Sequence, residues 1–172
     1  MTYVVMDNRI YGLTKGQASP TSREDFETST TPEGTSMPPV NPQALALASG
    51  ATFIAQSFSS DSQRHAQLVQ AAIEHDGFGF VNVYSPCVTF NDVDTYGYFR
   101  DSLVDLEEAD HDPHDREAAK QKILEGDKEY MGVLYQNKNS VSWEDQEGLD
   151  QNMADIPDGA PADAMDLVRE FY

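Results

Sequence analysis

Three observations in the sequence predict an α/β fold, a parallel sheet flanked by helices. Short apolar runs at residues 3–6, 52–58 and 78–84 alternate with segments of helical period. Each run stops at turn-forming residues, and the joints after residue 50 are short, as in strands joined by crossover helices. At 172 residues the chain suits a single core.

The first run, Tyr3 to Met6, reads as a buried strand closed by Asp7 and Asn8. Residues 9–40 follow with prolines, glycines and many Ser/Thr but no period, and a loop of that length inside a compact domain is usually functional or disordered. Asn41-Pro42 is an N-cap followed by proline at the first helical position, and the helix "QALALASG" stops at Gly50. "TFIAQSF" is the second strand. Asp61 or Ser62 caps a helix with Ala66, Val69, Ala72 and Ile73 on one face and Gly77 as its stop. "FGFVNVYSP" is the third strand, ended by Pro86.

Beyond residue 91 the pattern changes. "TYGYFRDSLVDLEE" predicts an amphipathic helix, "HDPHDREAAKQKILEGD" a turn and a helix capped by Asp115 that ends near Gly126, and "YMGVLYQ" a short strand. Residues 137–159 are acidic, polar and Gly/Pro-bearing, hence expected to be loose, and "PADAMDLVREFY" predicts a terminal helix. The organisation expected is an α/β domain over 1–90, a C-terminal extension over 91–136 and an acidic tail over 137–172.

Thirty acidic against 11 basic residues give a net charge of -19, which argues against unaided binding to nucleic acid or an anionic membrane. Only five of the basic residues are lysine, and such a surface suits a salt-rich cytoplasm. No apolar run approaches the ~20 residues that span a bilayer, and the N-terminus does not read as a signal peptide. The single cysteine, Cys87, fits a reducing interior. The expectation is a cytoplasmic protein without nucleic-acid or membrane partners.

In open parallel sheets ligands sit outside the carboxyl ends of the strands. The loop after the first strand leaves from that rim, and so does Cys87. Asn8 carries an amide oxygen suited to a hard cation such as Mg²⁺, although "DN" after a strand is also an ordinary Asx turn. Gly12 lets the backbone approach a phosphate, and the Leu13 and Thr14 amides with the Thr14 hydroxyl can donate to it. His111 and His114, three apart among aspartates, could bind metal or simply start a helix at Pro113 and Asp115. His65 and His75 read as polar surface residues.

"MDNRIYGLTKGQASPTS", "NPQALALASGATFIA" and "FGFVNVYSPCVTFN", with "DHDPHDREAA" and "YMGVLY" further on, resemble in order the β subunit of 2-oxoacid:ferredoxin oxidoreductases, above all the 2-oxoglutarate branch. The likeness covers residues 2 to 136. It implies the C-terminal half of a thiamine diphosphate-binding fold, with Mg²⁺ and a [4Fe–4S] cluster as further cofactors. Asn8 and the Ile10 carbonyl would hold Mg²⁺, Gly12, Leu13 and Thr14 the diphosphate, and Lys15 a substrate carboxylate. Cys87 would be one cluster ligand in an intact subunit. No residue is a secure general acid or base. The implied partners are the α subunit, ferredoxin, a 2-oxoacid and coenzyme A. The family's Gly-Asp-Gly and Cys-x-x-Cys stretches are absent, so the expectation is the C-terminal part of a β subunit, inactive alone. The alternative is a truncated, catalytically inactive fragment, or a regulatory or docking partner of the α subunit.

Overall fold

A computed structural model describes residues 1–125 and 128–148. Residues 1–140 form one unit, built on a five-stranded sheet in the order β1-β3-β2-β5-β4. β1 (Thr2–Asp7), β2 (Phe53–Phe58) and β3 (Gly79–Tyr84) run parallel, with Asp7 and Phe58 both in register with Tyr84. β5 (Glu129–Gln136) joins β2 antiparallel, and β4 (Leu103–Asp105) pairs parallel with β5, so the sheet is mixed rather than all-parallel.

Helices cover both faces. α1 (Pro42–Ala48) and α4 (Arg116–Leu124) place Leu47, Ala119 and Ile123 against Ile54, Phe80 and Leu134 on one face. α2 (Ser62–Glu74) packs Leu68 and Ala72 against Phe53, Ala55, Val81 and Val83 on the other. The caps are local. The Asn41, Asp61 and Asp115 side chains accept the amides of Ala44, Arg64, and Glu117 with Ala118 respectively. α3 (Tyr96–Ser102) drops Phe99 between Phe58 and Tyr84, where the Tyr84 and Phe99 rings stack with centroids 4.3 Å apart.

Four expectations change. The long helix over "TYGYFRDSLVDLEE" ends after two turns, because Leu103–Asp105 pair with Glu129–Met131 and become β4. β1 is an edge strand, not a buried one: Tyr3, Val4 and Met6 are exposed. The buried stripe of α2 runs through Leu68, Val69 and Ala72, leaving Ile73 in solvent. His65 and His75 are half-buried and hydrogen-bonded, His65 to Ser57 and His75 to Thr52 and Ser140.

The second unit begins at Val141, and its described part is a single turn, α5 (Trp143–Glu147), where looseness was expected. Ser142 caps it and Gly148 closes it in the left-handed conformation. The stop expected at Gly126 and the terminal helix fall outside the described residues. No described helix is long and apolar enough to cross a membrane.

Candidate functional site

The chain leaves β1 at its carboxyl end beside the end of β3, so the loop starting at Asn8 and the turn carrying Cys87 share one rim. Between the two ends the sequence switches from apolar to polar, and the loop folds on itself. Tyr11 N–H donates to the Gln17 carbonyl at 2.9 Å, and Gly16 N–H to that of Tyr11 at 2.9 Å. Lys15 N–H closes the tip on the Gly12 carbonyl at 3.1 Å. Two glycines are needed here for different reasons. A methyl group on Gly12 would sit 3.3 Å from the Cys87 sulfur, whereas Gly16 has φ +98 with the Phe90 ring under it. Arg9 (φ 55) and Lys15 (φ 78) take the left-handed conformation without being glycine, which costs about 1–3 kcal/mol each.

Among the described residues every backbone carbonyl from Asp7 to Tyr11 has a fixed partner, with one exception. Asp7 Oδ1 accepts the Thr21 hydroxyl at 2.7 Å and Arg9 N–H at 3.1 Å. Asn91 Nδ2 donates to the Asn8 carbonyl at 3.3 Å, and the Ser22 hydroxyl to that of Arg9 at 2.6 Å. Asn8 Oδ1 accepts Ile10 N–H at 3.1 Å, the Asx turn that the sequence allowed. The exception is the Ile10 carbonyl: it accepts no hydrogen bond among the described residues, on a residue only 3% exposed. A buried orphan carbonyl beside an amide oxygen with a lone pair to spare is a pair of hard oxygen donors.

Further along, the N–H groups of Gly12, Leu13 and Thr14 donate to no acceptor among the described residues, and Leu13 is 99% exposed. Three consecutive free amides at the tip suit an anion. The Thr14 hydroxyl is engaged by the Gln17 side chain rather than left for a phosphate. Lys15 has no ion pair among the described residues and lines an open cleft of about 320 Å³ with Glu27, Thr28, Phe90 and Asp92.

Behind the loop lies a charged cluster that the sequence did not announce. Arg9 donates to Asp94 Oδ1 at 2.8 Å and to Glu129 Oε1 at 2.6 Å, with its guanidinium over the Tyr84 and Phe99 rings. Arg23 donates to the same Asp94 oxygen at 2.7 Å and covers the Tyr98 ring. Burial works against the Arg9 charge, but the Glu129 and Asp94 carboxylates outweigh it and hold the guanidinium firmly protonated. Burial likewise pushes the Asp94 carboxyl up, and the Arg23 hydrogen bond with both guanidinium charges overcomes it, leaving the group below its ordinary value. Burial and then Glu129 push the Tyr84 phenol well up, so it stays protonated and donates to Glu129.

The polar face continues into the sheet. Asn82, 1% exposed, donates to Gln56 Oε1 at 3.0 Å, and Gln43 on α1 donates to that oxygen too. The signal of this hydrogen-bond chain in the sequence is a polar amide in the middle of each of two apolar strands, Gln56 in β2 and Asn82 in β3. His111 and His114 are used structurally: they bond the Leu134 and Gln136 carbonyls and tie the turn before α4 to β5. No group of three or more His, Cys, Asp or Glu side chains among the described residues is placed to hold a metal.

Residues 1–83 match the family described as thiamine pyrophosphate enzyme, C-terminal TPP binding domain, and residues 87–149 match the family of the C-terminal region of the pyruvate ferredoxin oxidoreductase β chain. The subunit beta of 2-oxoacid:ferredoxin oxidoreductase 1 from Aeropyrum pernix is 35% identical over 157 residues, covering 85% of this chain and 49% of the relative. The chain is homologous to the C-terminal part of 2-oxoacid:ferredoxin oxidoreductase β subunits. Among its relatives, 2-oxoglutarate oxidoreductase subunit KorB from Mycobacterium tuberculosis is 42% identical over 92 residues, 54% of this chain and 25% of that protein. A structure of 2-oxoglutarate:ferredoxin oxidoreductase from Magnetococcus marinus, with 2-oxoglutarate, coenzyme A and succinyl-CoA bound, superposes with a TM-score of 0.78 at 38% identity. It covers 98% of this chain and 57% of that one. The chain spans about half the length of the curated relatives it matches.

Proposed function

We propose that the chain is the cofactor-binding, C-terminal portion of the β component of an oxidoreductase that decarboxylates a 2-oxoacid, 2-oxoglutarate in preference to pyruvate. In that reaction the bond to the carboxylate breaks and CO₂ leaves. The acyl group joins the sulfur of coenzyme A as the thiol proton leaves to solvent, and the two electrons pass one at a time to two ferredoxins. The observation that carries the reading is the rim itself: an unpartnered Ile10 carbonyl beside Asn8 Oδ1, which keeps a lone pair beyond the one that accepts Ile10 N–H, then three free amides at Gly12, Leu13 and Thr14, in the segment that matches a thiamine pyrophosphate-binding family. The relatives' names and the α subunit that such β subunits imply support the assembly.

Thiamine diphosphate, when bound, supplies the nucleophile and the electron sink for loss of CO₂. The chain's own share is positioning. Asn8 Oδ1 and the Ile10 carbonyl fit two oxygen positions around Mg²⁺, with phosphate oxygens, water or another chain filling the rest. The amides of residues 12–14 donate to the diphosphate. Lys15, which lines its cleft, holds a carboxylate of the 2-oxoacid. A [4Fe–4S] cluster takes four thiolates, and with Cys87 as its sole cysteine the chain does not fit one by itself. Cys87 offers one ligand, and three would come from outside these residues.

The test is a calorimetric titration of thiamine diphosphate with Mg²⁺, in molar salt as the acidic surface suggests, on the chain alone and with a polypeptide carrying the N-terminal half of a relative's β subunit. Micromolar binding in either mixture, weakened about tenfold or more by Asn8→Ala, is the expected outcome. No binding in both removes the cofactor reading. The open β1 edge and the single cysteine favour a second reading, a non-catalytic docking partner of the α subunit. That reading wins if the chain binds an α subunit yet never the cofactor.

A further inference from the structure

We propose that Arg9 is the positioning residue of the rim, through which the segment beyond residue 87 holds the loop that carries the oxygen donors and free amides. This deepens the cofactor-site reading and rests on it. Arg9 stands between Asn8 and Ile10, and its left-handed backbone turns the chain so that Asn8 Oδ1 meets Ile10 N–H at 3.1 Å and the Ile10 carbonyl is left without a partner. An arginine has no intrinsic reason to adopt that conformation, so something must hold it there.

The side chain is what holds it. One arm of the guanidinium is on Asp94 at 2.8 Å and the other on Glu129 at 2.6 Å, while the plane lies against Tyr84 and Phe99, 4.9 and 5.2 Å from their ring centres. Asp94 is fixed in turn by Arg23 and by its own backbone amide, which donates to Asn91 Oδ1 at 2.8 Å. Asn91 then reaches back to the Asn8 carbonyl. Glu129 is fixed by the Tyr84 hydroxyl. The clamp therefore closes from two sides. Asp94 and Glu129 lie in the part that matches the oxidoreductase-specific family, and Arg9 in the part that matches the general cofactor-binding one. A planar fork spanning two carboxylates and stacked on rings is work that a lysine cannot copy.

The experiment compares the full chain with Arg9→Met and Arg9→Lys. Amide hydrogen exchange is read at Ile10, Tyr11, Lys15 and Gly16 and, as a reference, along β3. In Arg9→Met the loop amides accelerate about tenfold more than the amides of β3 do, with Arg9→Lys between the two. Unchanged loop amides overturn the proposal, and so does equal acceleration in β3, which would make Arg9 a general stabiliser. A second readout is the Mg²⁺ concentration that half-saturates thiamine diphosphate binding. It rises about tenfold in Arg9→Met, whereas cofactor affinity at saturating Mg²⁺ stays within about threefold of wild type. A similar weakening at all Mg²⁺ concentrations counts against positioning of the metal donors. If wild type binds no cofactor while the loop amides respond as expected, the cofactor reading fails and the clamp stands.

Discussion

β1 and β3 are six-residue strands that run side by side in the same direction and in strict register, and both are apolar to a similar degree. Every residue of β3 is buried, whereas only Asp7 is buried in β1. Tyr3 and Phe80 are register partners with rings stacked 6.4 Å apart, yet Tyr3 is 57% exposed and Phe80 7%. The difference lies in neighbours: β3 has a strand on each side and helices on both faces, and β1 has a free edge among the described residues. An apolar strand with exposed side chains on both faces is shaped to be covered.

The comparison can be broken first at its centre. Phe80→Ala should lower unfolding free energy by about 3–5 kcal/mol in a denaturant titration, while Tyr3→Ala, which loses mainly one ring contact, should lose about 1 kcal/mol. A loss at Tyr3 as large as that at Phe80 would mean the β1 edge is covered in solution, by a second copy or another chain. Next comes the clamp that ties the rim to the sheet. Asp94→Asn leaves two guanidiniums facing a neutral amide and should cost about 3 kcal/mol.

Asp94 also gives the fold an acid response of known sign. Its folded carboxyl titrates below the ordinary value, so the unfolded chain binds the proton first as pH falls. The stability it contributes is whole above about pH 4 and is lost as pH falls through the folded value. Denaturation midpoints followed downward from pH 5 should therefore fall more gently in Asp94→Asn than in wild type. The smallest effect is expected on the solvated surface, where Glu117→Ala removes an exposed pair with Lys120 at 3.3 Å and should change stability by about 0.5 kcal/mol or less.

Much of the helical framework was legible because capping is local. Asn41, Asp61 and Asp115 each accept amides two or three residues on, and no distant partner is needed. The rim was legible too: Asn8, Gly12 and Cys87 lie where the strand ends suggested, with Gly12 against the sulfur. β4 was not, since its three residues carry no strand pattern of their own and become a strand only through hydrogen bonding to β5, about 25 positions later. The α2 stripe was displaced for a related reason. Period fixes that a helix has an apolar face, but which residues are buried depends on the sheet beneath, and Ile73 lies outside the α2 contacts on β2 and β3.

By itself, then, the sequence determined the strand–helix alternation, the caps, the acidic surface and the polar rim at the carboxyl ends of the strands. These follow from side-chain chemistry acting over a few residues. Tertiary structure alone decided that β5 enters antiparallel, that β1 is an open edge, and that Arg9 sits between Asp94 and Glu129. Those carboxylates lie 85 and 120 positions from Arg9, and no local pattern encodes a contact that chain folding must bring together across such distances.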